Sequence, residues 1–444
     1  MKLHIPGVRI KHTLPDVAPV PSLTLPLPEK LYMPLSMHIG APAAPCVSVG
    51  EQVYKGQKIG EARGAISAAV HAPVSGTVLA IEQWPSARGG ECETVIIEND
   101  GLETLSPDLC PHPECENDAD ALVALVRECG IVGMGGATFP TAAKIDSARG
   151  KVDTVILNGA ECEPGLASDY AAMLERSDAL LHGIRLLLMA CGAKSAILAI
   201  EENKGEAISL LSGKLPADGS VKLQTLPSLY PQGGEKQLIY NTTGREIRSG
   251  GLPADVGCAV FNVETAIAVA EAVESGMPLI ERYCTLSGSA FAQPKVVRVR
   301  IGTPVRHISE AAGGYETAPK KIILGGPMMG MSVYRTDMGV NKGSNGILAM
   351  AESGSESERQ TSCIRCGRCV ENCPMGLMPN YLNLFTRKNA AEKLQEYHVF
   401  DCLECGVCAY GCPARLPLVQ QMKLGKARLR AWQNAEKARK EAQK

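Results

Sequence analysis

The feature that most constrains this chain is a cysteine run that occurs twice. Cys363-x-x-Cys366-x-x-Cys369-x-x-x-Cys373-Pro374 is repeated as Cys402-x-x-Cys405-x-x-Cys408-x-x-x-Cys412-Pro413. This is the spacing of bacterial two-cluster ferredoxins, in which three cysteines of one run and the fourth of the other share a cluster. On that pattern one [4Fe-4S] cluster takes Cys363, Cys366, Cys369 and Cys412, and the second takes Cys402, Cys405, Cys408 and Cys373. The competing reading is zinc on Cys-x-x-Cys pairs, but a four-ligand zinc site has no use for the third cysteine or the Cys-Pro step. The chain has 17 cysteines. An odd total with such local crowding argues against a secreted disulfide framework.

A length of 444 residues gives a prior of about three domains. With 45% hydrophobic and 21% charged residues, disorder and fibrous folds are excluded. A net charge of −2 provides no global attraction to nucleic acid or an anionic membrane. The longest apolar stretch, residues 186–200, is interrupted by Gly192 and Lys194, so no bilayer span is expected. The first eleven residues lack the apolar segment of a secretory signal.

Six prolines in residues 1–30 predict an extended arm. Residues 31–105 alternate short apolar stretches with glycine turns, the pattern of a small all-β module. Two of its segments, Val53-Tyr54-Lys55-Gly56-Gln57 and Ala72-Pro73-Val74-Ser75-Gly76-Thr77-Val78, resemble lipoyl-type sandwiches. The hairpin between them, Ala62-Arg63-Gly64-Ala65, lacks the lysine that a carrier modifies. Residues 115–282 alternate: a helix capped by Asn117 or Asp118 and stopped at Gly130, then strand 152–157, helix 167–190, strand 196–200, helix 204–211, strand 221–226 and helix 265–274. That alternation predicts a parallel sheet covered on both faces, a Rossmann-like α/β domain. Residues 283–350 return to β composition around a short helix near 308–312, which suggests a β-grasp module. A polar linker over 351–360 leads to the cysteine block, 360–418. Residues 419–444 form a helical tail with eight Lys or Arg against two Glu over its last 22 residues.

Gly130-Ile131-Val132-Gly133-Met134-Gly135-Gly136-Ala137-Thr138-Phe139-Pro140 leaves backbone N–H groups with little side-chain cover, suited to a phosphate. Tight loops need glycine for other reasons too, and this one follows a helix, so the dinucleotide motif is not met. Two more segments follow predicted strands, Asn158-Gly159-Ala160-Glu161-Cys162-Glu163-Pro164-Gly165 and Tyr230-Pro231-Gln232-Gly233-Gly234-Glu235, and a third, Phe261-Asn262-Val263-Glu264-Thr265, opens a helix with a capping-competent asparagine. Open α/β sheets bind ligands at such strand ends.

In that order these segments resemble the flavin- and NADH-binding subunit of respiratory complex I. With the front module (Pro34-Leu35-Ser36-Met37-His38-Ile39-Gly40-Ala41-Pro42), the β-grasp and the twin clusters, the chain from about Leu31 to Pro417 is similar to the C-subunit family of Rnf-type ion-pumping electron-transport complexes. The resemblance implies that Gly133, Gly135, Gly136, Lys144, Asn158, Glu161, Asn262 and Thr265 surround FMN. It implies that Tyr230, Gly233, Gly234, Glu163 and Glu235 face the nucleotide, the two glutamates orienting NAD(H) for hydride transfer. Departures stand at Ala160, where the complex I pattern has aspartate, and at Phe261, where it has asparagine.

The implied protein is an oxidoreductase subunit that passes electrons between NAD(H), FMN and two [4Fe-4S] clusters. It would lie peripherally on the cytoplasmic side of the inner membrane, beside membrane subunits and, through them, a ferredoxin-type carrier. Two alternatives share most of these motifs: a non-catalytic iron–sulfur wire, and a cobalamin-reductase-like flavoprotein. The other conspicuous residues read as structural. His38 and His71 lie in turns, Met328, Met329 and Met331 pack a β-turn, and Cys162 is a small side chain in its loop. Cys46, Cys92, Cys110, Cys115, Cys129, Cys191, Cys258 and Cys284 read as buried apolar packing.

Overall fold

The computed structural model describes residues 7–11, 14, 16–87, 89–351 and 360–442. The chain forms two compact units. One contains most of residues 12–227 and 253–351, and the other contains residues 7–11, Ser228–Leu252 and 360–442. The predicted linker lies, apart from Ala351 and Gln360, outside the described residues.

The larger unit is organised by a four-stranded parallel sheet, ordered Val221–Leu226, Ser195–Glu201, Thr154–Gly159, Cys258–Asn262. The first strand in sequence is therefore flanked by the second and the last, and the direction of winding reverses beside it, where α/β sheets hold ligands. Strands are buried on both faces; Val155, Ile156, Leu157, Leu198 and Ile200 are fully enclosed. The helix predicted over 167–190 is two, Ser168–Glu175 and Ser177–Cys191, separated at Arg176. Packing changes across the break. Glu175 binds Ser22 and the Tyr283 hydroxyl, while the second helix packs along Val263–Ser275. Gly183 makes that approach possible, since a Cβ there would come within 1.9 Å of the Ala266 carbonyl.

Helix ends follow local chemistry. Asp118 accepts the amides of Asp120 and Ala121 to start Ala119–Glu128. Asn262 accepts the Glu264 amide to start Val263–Ser275, which stops at Gly276 in the left-handed region. The β region in front has a four-stranded antiparallel sheet (Lys30–Pro34, Glu91–Asn99, Gly76–Pro85, Gln52–Val53) and a three-stranded one (Ala44–Pro45, Lys58–Glu61, Val70–His71). The β region behind is a mixed six-stranded sheet with the helix Val305–Ala311. Its edge is Leu23–Thr24, paired in parallel with Lys295–Arg300, so part of the proline-rich arm is a strand. Of the cysteines expected to be buried, Cys46 and Cys110 are exposed and Cys92 is half-buried. Cys46 follows the two-residue strand Ala44–Pro45 and Cys110 lies in a loop, while Cys92 is near the start of the strand Glu91–Asn99, opposite Trp84.

In the smaller unit the two cysteine runs fold alike. Arg365 and Glu404, one residue before the second cysteine, have φ of 57° and 59°, and Gly367 and Gly406 both have φ of 82°. Gly376 and Arg415, three residues after the fourth cysteine, have φ of 63° and 53°. Non-glycine residues in this region carry local strain of about 1–3 kcal/mol each, and such strain concentrates at functional sites. The helix Leu418–Ala442 buries Leu418, Met422, Gly425 and Leu429, so the basic tail begins as part of this unit's core. No helix among the described residues is long and apolar enough to cross a membrane.

Candidate functional site

In the larger unit the glycine loop is closed partly on itself. The Gly133 N–H donates to the Phe139 carbonyl (2.9 Å), and the Met134 N–H donates to Thr265 Oγ1 (2.9 Å). Two of the amides that look free in the sequence are therefore engaged, because the loop doubles back and is tied to the Asn262 helix. The amides of Gly135, Gly136 and Ala137 have no acceptor among the described residues. A Cβ at Gly136 (φ +105°) would meet nothing within 4 Å, and one at Gly135 would meet only the Asn262 side chain, at 3.6 Å. Unengaged amides beside open room fit a phosphate group.

The loop rests on two buried cations that sequence reasoning missed. Lys342, in the β region behind, donates to the carbonyls of Gly130 (2.6 Å) and Ala69 (2.7 Å). Burial pushes its ammonium pKa down to about 7. Arg282 donates to the Lys342 carbonyl (2.6 Å) and reaches the Met134 carbonyl (3.4 Å), and it pairs with Glu264 at 3.1 Å. Gly130 must be glycine here: its φ is +60°, and a Cβ would sit 2.2 Å from the Ala69 carbonyl. A lone lysine or arginine in a sequence reads as solvated surface, so no local signal points to either residue.

The remaining flavin candidates form a buried polar network at the strand ends. Glu161 accepts from Ser168 Oγ (2.8 Å) and from the amides of Asp169 (3.0 Å) and Tyr170 (3.3 Å), capping that helix. Asn262 Nδ2 donates to Asp169 (2.8 Å), whose carboxyl is held well above the usual range by burial and by Glu161 and Glu264. Asn158 Oδ1 accepts the Ala160 amide (3.1 Å). Lys144 donates to the Val260 carbonyl (2.9 Å). Glu163 accepts from the amides of Met328 (3.0 Å) and Met329 (2.8 Å), so both of its oxygens are engaged.

Glu201, at the end of its strand, is enclosed, with Oε1 lacking any hydrogen-bond partner among the described residues. Burial pushes its pKa up to about 7, opposed by Lys204. A carboxyl raised in the folded state stabilises below its unfolded pKa of 4.5 and loses that contribution as pH rises through about 7. Glu201→Gln should therefore flatten the fall in stability between these values and raise stability at pH 8 by about 3 kcal/mol. Urea midpoints of parent and variant at pH 5 and pH 8 measure it. Equal gaps at both pH values would contradict it.

In the smaller unit, one pocket is lined by Cys373, Cys402, Cys405 and Cys408, together with Pro374, Leu377, Gly406 and Met422. Burial raises all four thiols, Cys405 to about 11. Backbone N–H groups nevertheless face the sulfurs: Glu404 N–H to Cys402 (3.3 Å), Met375, Gly376 and Leu377 to Cys373, and Val407 to Cys405. The Ala409 N–H faces Cys408 in the same way, and apolar enclosure with N–H donors aimed at four sulfurs fits an iron–sulfur cluster held by thiolates. Cys369 and Cys412 pack in one apolar cluster with Cys408 and Leu416, whereas Cys363 and Cys366 are exposed. Among the described residues no three His, Cys, Asp or Glu side chains are grouped as a site for a single metal ion.

Tyr230, Gly233, Gly234 and Glu235 belong to this smaller unit. Glu235 is the first residue of the helix Glu235–Thr243. The flavin candidates and Glu163 belong to the larger one.

Three family models match the chain: the Nuo51 FMN-binding domain over residues 126–271, the RnfC barrel sandwich hybrid domain over 6–102, and the 4Fe-4S dicluster domain over 362–416. Similar proteins include the C subunit of the Na(+)-translocating ferredoxin:NAD(+) oxidoreductase complex of Acetobacterium woodii, 43% identical over 90% of each chain. The C subunit of the proton-translocating ferredoxin:NAD(+) oxidoreductase complex of Clostridium ljungdahlii is 44% identical over 93% of this chain and 91% of its own. The C subunit of the ion-translocating oxidoreductase complex of Rhodobacter capsulatus is 44% identical over 91% of this chain and 79% of its own. A solved NAD+-reducing [NiFe]-hydrogenase chain aligns over 72% of this chain and 67% of its own, with a TM-score of 0.49 and 20% identity. Fold, glycine loop and cysteine runs together define a multidomain α/β electron-transfer protein of the flavin and iron–sulfur class. The chain belongs to the RnfC family, the C subunits of ion-translocating oxidoreductase complexes.

Proposed function

We propose that the chain is the peripheral oxidoreductase subunit of an Rnf-type complex, passing electrons between NAD(H), FMN and two [4Fe-4S] clusters as part of ion-coupled ferredoxin:NAD electron transfer. The observation that carries this reading is the pocket lined by Cys373, Cys402, Cys405 and Cys408, which joins the fourth cysteine of one run to three of the other. Bound FMN supplies the exchange between a two-electron nicotinamide and one-electron clusters.

The protein's own part is to bind and orient. Gly135 and Gly136 offer backbone amides to the flavin phosphate, with Gly133 closing the loop. Thr265 and Arg282 hold that loop, and Asn262, Asn158, Glu161 and Lys144 shape the wall beside it. Glu163 in the larger unit and Glu235 in the smaller are each assigned to orienting the nucleotide, with Gly233 and Gly234 leading into the Glu235 helix, whereas Tyr230, assigned to the nucleotide by resemblance, is instead buried with its hydroxyl on the Cys405 carbonyl. The second cluster takes Cys402, Cys405, Cys408 and Cys373, and the first takes Cys363, Cys366, Cys369 and Cys412. In this reading residues 31–105 are a barrel-sandwich module without a carrier lysine, 115–282 the flavin domain, 283–350 a β-grasp, 360–418 the ferredoxin-type domain and 419–444 the basic tail. The protein sits on the cytoplasmic side of the inner membrane, held by partner subunits.

A second reading, an iron–sulfur wire without nucleotide chemistry, is favoured by one observation: both oxygens of Glu163 are engaged by loop amides. Glu235→Ala separates the two. Losing one oriented hydrogen bond to a charged group costs roughly 1.5–3 kcal/mol, so NADH should reduce the variant's flavin at least about tenfold more slowly while flavin content is unchanged. Stopped-flow bleaching of the flavin under anaerobic conditions reads the rate. A parent protein whose flavin NADH does not reduce establishes the wire instead.

A further inference from the structure

The segment Ser228–Leu252 lies in sequence between two strands of the parallel sheet, yet it belongs to the unit that carries the cysteines. Its contacts there are specific. Gln237 is buried, and its Nε2 donates to the Pro374 carbonyl and to Met375 Sδ, both at 3.1 Å. Both neighbours are acceptors, so the amide nitrogen must face them. Tyr230 is 2% exposed, and its hydroxyl donates to the Cys405 carbonyl at 2.7 Å. Lys236 pairs with Asp401 at 3.3 Å. The segment thus grips both shoulders of the pocket lined by Cys373, Cys402, Cys405 and Cys408.

The consequence follows from peptide planarity. A trans peptide carries its C=O and N–H in opposite directions in one plane, so fixing one fixes the other. The Pro374 carbonyl is held by Gln237, and the N–H of the same peptide, on Met375, faces the Cys373 sulfur. The Cys405 carbonyl is held by Tyr230, and the same peptide carries the N–H of Gly406, a residue lining the pocket. Hydrogen bonds around ligand sulfurs are a principal means by which proteins set cluster potentials.

We propose that Gln237 and Tyr230 are positioning residues for the second cluster, orienting peptide N–H groups around its sulfur ligands and raising its reduction potential. This rests on the proposed assignment of that cluster to Cys402, Cys405, Cys408 and Cys373. An N–H donor stabilises the more negative reduced state, so loosening it lowers the potential.

The test is an EPR-monitored redox titration of the full chain, purified without air, for the parent, Gln237→Leu and Tyr230→Phe. Tyr230→Phe removes one hydroxyl and keeps the ring, so the protein remains folded even if Gln237→Leu does not. The expected result is retained iron and a downward shift of one cluster's potential, equivalent to about a tenfold change in its reduction equilibrium, or about 59 mV for one electron. The other cluster stays within error of the parent; loss of iron from the second cluster in both variants overturns the proposal, since the two residues would then hold the loop rather than set the potential. Two unmoved potentials, or an equal shift of both, overturn it. A parent without two cubane clusters instead defeats the assignment on which the proposal rests, so the two failures are distinguishable.

Discussion

Gly135→Val is expected to yield a folded protein with its iron intact and no flavin. Two neighbouring glycines differ in what a side chain would meet. At Gly136 the backbone φ of +105° would strain any side chain, so a substitution there mixes loop distortion with lost binding. Gly135 has no such constraint. Its Cβ would stand 3.6 Å from the Asn262 side chain, ordinary contact, with the rest of an isopropyl group reaching into the space beside the loop. The loop's supports, Thr265 to Met134 and Arg282 to Met134, are untouched. Valine at this point therefore blocks approach to the unengaged amides while leaving the fold alone. Absorbance at the flavin bands after acid release, set against iron per chain, reads both outcomes together. Stoichiometric FMN in the variant would place the phosphate elsewhere.

Much of this arrangement is legible in the sequence because it is local. Strand 221–226 matches Val221–Leu226, and of the two cap candidates, Asn117 and Asp118, it is Asp118 that caps. Proline, glycine and capping residues act within a few positions, so their reading survives folding. What sequence misses depends on contacts across long separations. Lys342 meets Gly130 and Ala69 from more than 200 residues away, and nothing in Asn341-Lys342-Gly343 marks it as interior. The family resemblance assigns Glu163 to the nucleotide, yet its carboxylate is held by amides about 165 residues on. Chain order alone assigns the segment Ser228–Leu252 to the flavin domain. Its buried partners are the carbonyls of Pro374 and Cys405, which no periodicity announces.

Cys373→Ser should damage the cluster of the other cysteine run and spare that of its own, the least intuitive consequence of the sequence pattern. Within the run, Cys373 follows Cys369 by four positions, but the pocket it lines is shared with Cys402, Cys405 and Cys408. Its sulfur receives the amides of Met375, Gly376 and Leu377, and burial otherwise raises its thiol. Those donors prepare the site for a thiolate, and a serine oxygen, harder and less readily deprotonated, replaces it poorly as an iron ligand. The parent, purified without air, should carry about eight irons and eight sulfides, with spin-coupled EPR signals on reduction. Cys373→Ser should fall toward about four irons and lose the coupling with the missing cluster, or keep eight with one signal altered. Cys402→Ser should reproduce this spectrum, because both variants strike one cluster, whereas Cys412→Ser should alter the other signal. If Cys373→Ser instead resembles Cys369→Ser, the ligands do not cross between runs. If the parent binds zinc in place of iron, neither cluster exists, and the strained turns at Arg365, Glu404 and Arg415 serve a tetrahedral ion.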